Sequence, residues 1–178
     1  MGGDWDQDTI NLTKDNLLYE SLVDRFEHGL TWEETQFYQE QLERLNRGEC
    51  TYGGSSTPEG LRSRYEEIDD IYKSMRRHGY ISNQELIQNP SKEALNEVEV
   101  YIARDGEILF GNEGTHRIRL AKLLDLDSVA VRIIVRHTLW QEKRSRLINE
   151  DVSPTDLGID ADHPDLVEET TTFRRIFK

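Results

Sequence analysis

Hydrophobic positions along the chain change their spacing several times, and each change marks an element. Leu17, Leu18, Leu22, Val23 and Phe26 follow helical spacing, and Gly29 closes that segment. Leu30 then stands as a hydrophobic staple before Thr31-Trp32-Glu33-Glu34, a capping box that predicts the start of a second helix. Phe37, Tyr38, Leu42 and Leu45 form its apolar face, and Gly48 ends it. Thr57-Pro58-Glu59 combines an N-cap, a proline at the first helical position and an early acid. Leu61, Tyr65, Ile68, Ile71, Tyr72 and Met75 carry that third helix to Gly79. The period then shortens to two. Val98, Val100 and Ile102 alternate with polar neighbours, which predicts a half-buried strand. Asp105-Gly106 predicts a two-residue hairpin turn, and Ile108, Leu109 and Phe110 a short return strand. A loop from Gly111 to Gly114 leads to a helix from about Thr115 to Leu124, with Ile118, Ala121 and the Leu123/Leu124 pair on one face. Val129 to Val135 is β-branched and almost unbroken, which predicts a central strand buried on both faces.

These elements predict an α+β (α/β-like) chain: a small mixed sheet with helices, behind an N-terminal helical extension. The expected divisions are an extension and linker over 1–56, a sheet domain over 57–148 and an acidic segment over 149–178. Met1 to about Leu12 is polar and rich in Gly and Asp, and is expected to be mobile. Tyr52-Gly53-Gly54-Ser55-Ser56 is the most flexible-looking stretch and the expected connector. Ser82 to Asn96 is read as a short helical or irregular crossing, and Leu139 to Ile148 as a last helix. His163-Pro164-Asp165-Leu166 looks like a short docking turn, and Thr170 to Phe177 a closing strand or a partner-binding tail. Trp32, Phe37 and Tyr38 admit two readings, a base-stacking platform or, more ordinarily, an aromatic face packed on the sheet domain.

Composition narrows the functional classes. Against 22 Lys and Arg stand 35 Asp and Glu, a net charge of −13 with a pI near 4.8. That balance argues against a general nucleic-acid binder, which carries a basic footprint. The acids are spread evenly and Lys is scarce beside Arg, as on a halophilic-type surface. One cysteine, Cys50, allows no internal disulfide and no Cys-based zinc site, and the histidines show no metal spacing. No apolar run is long enough to span a membrane and no signal peptide is evident, so a cytoplasmic location is expected.

Candidate chemistry sits at the loop-to-helix junction that follows the second predicted strand. Gly114-Thr115-His116-Arg117 places backbone N–H groups, a hydroxyl, an imidazole and a guanidinium at a helix N-terminus, where an anion is favoured. Gly114 would admit a phosphate close to the backbone, and Arg117 could grip it bidentately. The plainer alternative makes Thr115 an N-cap, with His116 and Arg117 solvated. Glu113 is the candidate for acid–base work, holding Mg²⁺ or accepting a hydroxyl proton, unless it turns to solvent. Arg76, Arg77 and His78 suit a helix C-terminus, whereas Arg62 and Arg64 open the same helix against its dipole, which makes Arg64 a further anion candidate. Arg136 and His137 end the central strand and could line a ligand crevice. Alternatively, Arg136 pairs with a surface acid and His137 starts the next helix.

The succession of apolar strand, Gly-x-His-Arg, apolar helix, Leu-Asp and Val/Ile strand resembles the ParB/sulfiredoxin superfamily. ParB-type proteins carry a G-E-R-R-x-x-A-A-like motif at this junction, sulfiredoxins G-C-H-R, and the related free-serine kinases Gly-x-His-Arg. Here Gly114, Thr115, His116 and Arg117 match, with Ala121 following, and Ile71 to Gly79 is similar to a ParB-like helix; the likeness runs roughly from Tyr65 to His137. It implies nucleotide phosphates at the junction, with ATP or CTP and Mg²⁺ as cofactors, and leaves a homodimer open. The leading expectation is an ATP-dependent phosphotransferase acting on an unidentified small-molecule acceptor, with Glu113 and His116 as catalytic candidates. The alternatives are a nucleotide-responsive binding module without chemistry, and a ParB-like DNA-associated protein or nuclease, which the acidic balance disfavours. Thr115 stands where sulfiredoxins have their catalytic cysteine, which rules out sulfinic acid reduction as that family performs it. No helix-turn-helix is evident after His137, which argues against centromere-type DNA partitioning.

Overall fold

In the computed structural model of the chain, residues 1–7, 16–81, 97–111, 113–166 and 172–174 are described. Backbone contacts sort them into two units. One, the sheet unit, comprises the described residues within Met1–Asn11, Tyr80–Ile118 and Leu126–Lys178; the other, the helical unit, those within Leu12–Gly79 and Arg119–Asp125. The class is α+β, with five α-helices and a small mixed sheet among the described residues.

The helical unit is built on α1 (Leu17–Phe26), α2 (Gln36–Asn46) and α3 (Pro58–His78). Asn16 caps α1 by accepting from the Tyr19 N–H at 3.2 Å, and Thr57 caps α3 by accepting from Gly60 at 3.1 Å. The Thr31/Glu34 capping box does form, but it opens a 3₁₀ turn, Trp32–Glu34, and not α2 itself. Thr35 interrupts the run: its backbone is extended (φ −83°, ψ 143°) and its hydroxyl donates back to the Trp32 carbonyl at 2.8 Å. Trp32 and Tyr38 pack on α3 within this unit, the ordinary alternative of an aromatic packing face. Trp32 meets Tyr65 edge-on at 4.6 Å, Tyr38 meets Tyr65 at 4.9 Å, and Phe26 stacks on Tyr72 at 3.8 Å, because α3 offers Tyr65, Ile68 and Tyr72 on one face. Asp69 joins three elements, pairing with Arg25 at 2.5 Å and accepting from the Trp32 indole at 3.0 Å.

The glycine-serine connector is a closed turn. Thr51 N–H donates to the Ser55 carbonyl at 2.9 Å, Ser55 N–H to the Thr51 hydroxyl at 3.0 Å, and Tyr52 N–H to the buried Gln41 side chain at 2.7 Å. A buried amide from α2 fixes it, which local composition does not reveal.

In the sheet unit the strand order is β2-β1-β3-β4. β1 (Val98–Ile102) runs antiparallel to β2 (Ile108–Phe110) and parallel to β3 (Ser128–Arg136). β4 (Thr172–Arg174) pairs antiparallel with Ser128–Ala130, so this part of the tail is a strand. The remaining tail and the expected crossing at Ser82 to Asn96 lie outside the described residues. α4 (Thr115–Leu123) connects β2 to β3, and α5 (Thr138–Asn149) follows β3.

Two strand-level expectations change. The β1–β2 hairpin closes through three residues, since Gly106 N–H donates to the Ala103 carbonyl at 3.1 Å and Ala103 N–H to the Glu107 carbonyl at 2.9 Å. Gly106 sits at φ +98°, where a Cβ would lie 2.4 Å from the Trp140 ring. β3 is buried on both faces only over Val129–Val131. Val100 faces Ile133 while Tyr101 faces Val135, so Ile134 is the extra residue of a bulge and is 42% exposed.

Two segments distant in sequence, residues 1–7 and 163–166, are tied to the far end of β1 and β3. The expected mobile start is docked over residues 1–7, its remainder lying outside the described residues. Buried Asp6 accepts from the Arg104 N–H at 2.9 Å and from its Nη2 at 2.6 Å, and Arg104 also reaches Asp4 and the Gly3 carbonyl. These bonds with Arg104 hold the Asp6 carboxyl well below the usual carboxylate range. In the second segment Asp165 accepts from Arg136 Nη2 at 2.6 Å and from the Trp140 indole at 2.8 Å. The segment 163–166 is thus a docking turn, as its sequence suggested. His163 accepts from the Asp165 N–H through Nδ1, so its Nε2–H donates to the Gly106 carbonyl at 2.7 Å.

Burial alone pushes the Asp165 carboxyl up, but Arg136 and Trp140 outweigh it and hold it below its ordinary value. A lowered folded pKa stabilises the protein above the ordinary carboxylate range, and that stabilisation fades as pH falls through it. Asp165→Asn is expected to lose roughly 2–4 kcal/mol at pH 7, below the full cost of breaking a wholly buried pair because Arg136 keeps some water. Urea unfolding between pH 7 and 2 should also show a flatter acid slope in the variant, and an unchanged slope would remove Asp165 from the acid response.

Candidate functional site

Between β2 and α4, Gly111, Glu113 and Gly114 come close to β1. Gly111 N–H donates to the Glu99 carbonyl at 2.6 Å, and Glu99 N–H to the Glu113 carbonyl at 3.2 Å. A Cβ on Gly111 would stand 2.8 Å from the Glu99 Cβ. Gly114 is at φ +79°, and a Cβ there would stand 2.6 Å from the Val98 Cα. The close approach that Gly114 permits is therefore to β1, and the space its side chain would take is filled by Val98. Its carbonyl then accepts from Ile118 N–H at 3.0 Å, which starts α4.

The first turn of α4 carries Thr115, His116 and Arg117, all half-buried, with no acid in that turn. Glu113, on the loop, is exposed. The carboxylate set against Arg117 is instead Glu97, which directly precedes β1. Glu97 Oε2 lies 3.9 Å from Arg117 Nη1 and accepts the Tyr80 hydroxyl at 2.7 Å. Its side chain is 14% exposed and that of Arg117 25%. Burial pushes the Tyr80 phenol well above its ordinary value; Glu97 adds to the rise and Arg117 opposes it. Sequence reasoning missed Glu97, whose only local signal is a polar residue at a strand start. The packing of Gly114 on Val98 brings it beside α4.

Arg136 and His137 do not converge on this junction. Val98 begins β1 beside Gly114, whereas Arg136 pairs in register with Ile102 at the opposite end, about 13 Å along the strand by the ordinary rise. Arg136 takes the ion-pairing alternative, although its acid, Asp165, is buried. His137 takes the helix-starting one: Nδ1 accepts from the Leu139 N–H at 3.2 Å, and Nε2–H donates to the Gly3 carbonyl at 2.9 Å. Arg64 belongs to the helical unit, where it pairs with Glu67 at 2.8 Å. A pocket of about 160 Å³ lined by Pro58, Glu59, Arg62, Ser63 and Glu66 opens on that same helix, small beside ordinary ligand sites.

Among the described residues no three His, Cys, Asp or Glu side chains stand together as metal ligands, and no helix is long and apolar enough to cross a membrane. Comparisons of the chain with protein-family models, with curated proteins and with solved structures find no match.

Gly114 and Gly54 both hold positive φ, +79° and +84°, but only Gly114 has neighbours within 4 Å of an added Cβ. Gly54→Ala is expected to cost about 1 kcal/mol for its backbone conformation alone. Gly114→Ala adds overpacking against β1 and is expected to cost roughly 2–4 kcal/mol. Equal shifts in their urea midpoints would show that backbone conformation alone selects glycine at Gly114.

Proposed function

We propose that the Gly114–Arg117 junction binds the phosphates of a nucleotide, ATP or CTP with Mg²⁺, and that the chain is an ATP-dependent phosphotransferase acting on a small molecule. The observation that carries this reading is the pair of basic side chains, His116 and Arg117, in the first turn of α4 with no acid there. Cations at a helix N-terminus oppose its dipole, and a bound anion reverses that cost. The order of strand, Gly-x-His-Arg loop, helix and strand supports it further through the resemblance to the ParB/sulfiredoxin superfamily.

On this reading Gly114 and Thr115 contact the phosphates, while His116 and Arg117 neutralise them and stabilise the charge that develops on the transferred group. Magnesium bound to nucleotides takes most of its ligands from phosphates and water and needs only one or two carboxylates, which the exposed Glu113 fits. Glu113 is equally the group to accept a proton from an acceptor hydroxyl. Arg136, held by Asp165 at the other end of β1, takes no part. A nucleotide-binding module without chemistry is the second reading, favoured by the exposure of Glu113, because a solvated carboxylate is not fixed for proton transfer.

Calorimetric titration with ATP, ADP and CTP, with Mg²⁺ at low and at molar KCl, tests the site. Micromolar binding that weakens at least tenfold in both His116→Ala and Arg117→Ala is expected. No binding of any nucleotide by the folded wild type at either salt overturns the proposal. Nucleotide-dependent phosphate release with Mg²⁺ separates the enzyme from the binding module.

A further inference from the structure

Residues 1–7 are bound to the sheet unit by groups at the carboxyl ends of the parallel strands β1 and β3. Asp6 enters a cradle formed by one residue. The Arg104 N–H and Nε each donate to its Oδ2 at 2.9 Å, and Nη2 donates to Oδ1 at 2.6 Å. A backbone amide and a guanidinium fork converging on one carboxylate is a recognition geometry, charge-assisted and directional. Beside it Trp5 packs on Tyr101 and on the His137 ring, with centroids 6.0 and 5.8 Å apart. The Gly3 carbonyl accepts from His137 Nε2–H at 2.9 Å and from Arg104 Nη2 at 3.0 Å, and the Met1 carbonyl accepts the Thr138 N–H at 3.1 Å. Of these seven residues only Asp6 is buried; Trp5 is half-buried and the other five are exposed. A segment held mainly by polar contacts, with little apolar burial, opens at less cost than one that fills the core.

We propose that this surface is a binding site for an acidic peptide with an aromatic residue next to its aspartate, and that residues 1–7 are a detachable strap occupying it in the partner's place. Arg104 sets the class of partner. Taking the carboxylate from a half-buried guanidinium and leaving nothing there is costly, so the strap leaves most easily in exchange for another carboxylate. Tyr101 and His137 take the neighbouring ring, and His137 Nε2–H and the Thr138 N–H take backbone carbonyls, as they do from the strap. The position is the one where open α/β sheets usually bind ligands. The cradle stands at the end of β1 opposite the Gly114–Arg117 junction, so the proposal is independent of nucleotide binding.

The probe is the heptapeptide of residues 1–7, Met-Gly-Gly-Asp-Trp-Asp-Gln, titrated calorimetrically into the full-length chain. A tethered strap competes at an effective concentration of roughly millimolar, which masks the site in the wild type. Asp6→Asn, whose own strap lacks the buried carboxylate, should bind the peptide at least tenfold more tightly than wild type. Trp5→Ala, which loosens the strap and leaves Asp6 on Arg104, should also bind it more tightly than wild type. A peptide carrying Asp6→Asn should bind either variant at least tenfold more weakly than the native peptide. A second peptide that keeps Asp-Trp-Asp and has serine elsewhere should bind within tenfold of the first. If Asp6→Asn does not fold, Trp5→Ala decides by the same comparisons. Folded variants that bind the heptapeptide no more tightly than wild type overturn the proposal. Binding that ignores the peptide's own Asp6→Asn change overturns it as well, because the Arg104 cradle would then not be the recognising group. Binding of the native heptapeptide without binding of the serine-flanked peptide also overturns the partner site, and residues 1–7 are then a fixed part of the sheet unit.

Discussion

The close approach of Gly111 and Gly114 to β1 is the constraint on which the sheet unit depends. Gly111 and Gly114 stand where any side chain would collide with Glu99 or Val98, one of them at positive φ. Because the loop lies this close, Glu99 can bond to it through both its carbonyl and its amide. The same contact fixes where α4 begins, and α4 returns the chain to β3 for its parallel pairing with β1. It also puts Glu97, one residue ahead of the contact, beside Arg117. Fold and candidate site thus share a cause, and the candidate site cannot be loosened without loosening the sheet.

The two ends of β1 serve different purposes. In open α/β sheets the carboxyl ends of parallel strands usually frame the ligand crevice. Here that end is occupied by the chain itself. Asp6 holds Arg104, Asp165 holds Arg136, and His137 and His163 each join a neighbouring N–H to the carbonyl of a distant segment. A buried carboxylate paired in this way is costly to break and contributes to one defined arrangement, and it commits Arg104 and Arg136 to the fold. The Gly114–Arg117 junction stands at the opposite, starting end of β1.

Much of the fold is legible in the sequence where the signal is local. Helix periodicity over Leu17–Phe26 and Pro58–His78, and alternation over Val98–Ile102, locate those elements because burial on one face is a one-dimensional pattern. What escapes is set by partners far along the chain. The Thr31 capping box is real, yet Thr35 diverts the backbone before α2 starts. The Gly-Ser stretch looks flexible until Gln41 ties it down. Residues 1–7 read as a loose start because nothing near them announces Arg104. At the candidate site Gly114, Thr115, His116 and Arg117 form one local run and are visible at once. Glu97 and Tyr80 become neighbours of Arg117 only through tertiary register, and the separation of Arg136 from the junction follows from the strand pairing.

A chain with a net charge of −13 repels nucleotides at long range, so any phosphate site on it must draw its attraction from short range. Salt acts differently on the two contributions. At molar ionic strength the screening length falls to about 3 Å, which suppresses the field of the evenly spread surface acids. A guanidinium with a quarter of its surface exposed, in direct contact with phosphate, is screened much less. High salt therefore removes more of the opposing field than of the contact, and a strongly acidic surface is more compatible with an anion site at high salt than in dilute buffer.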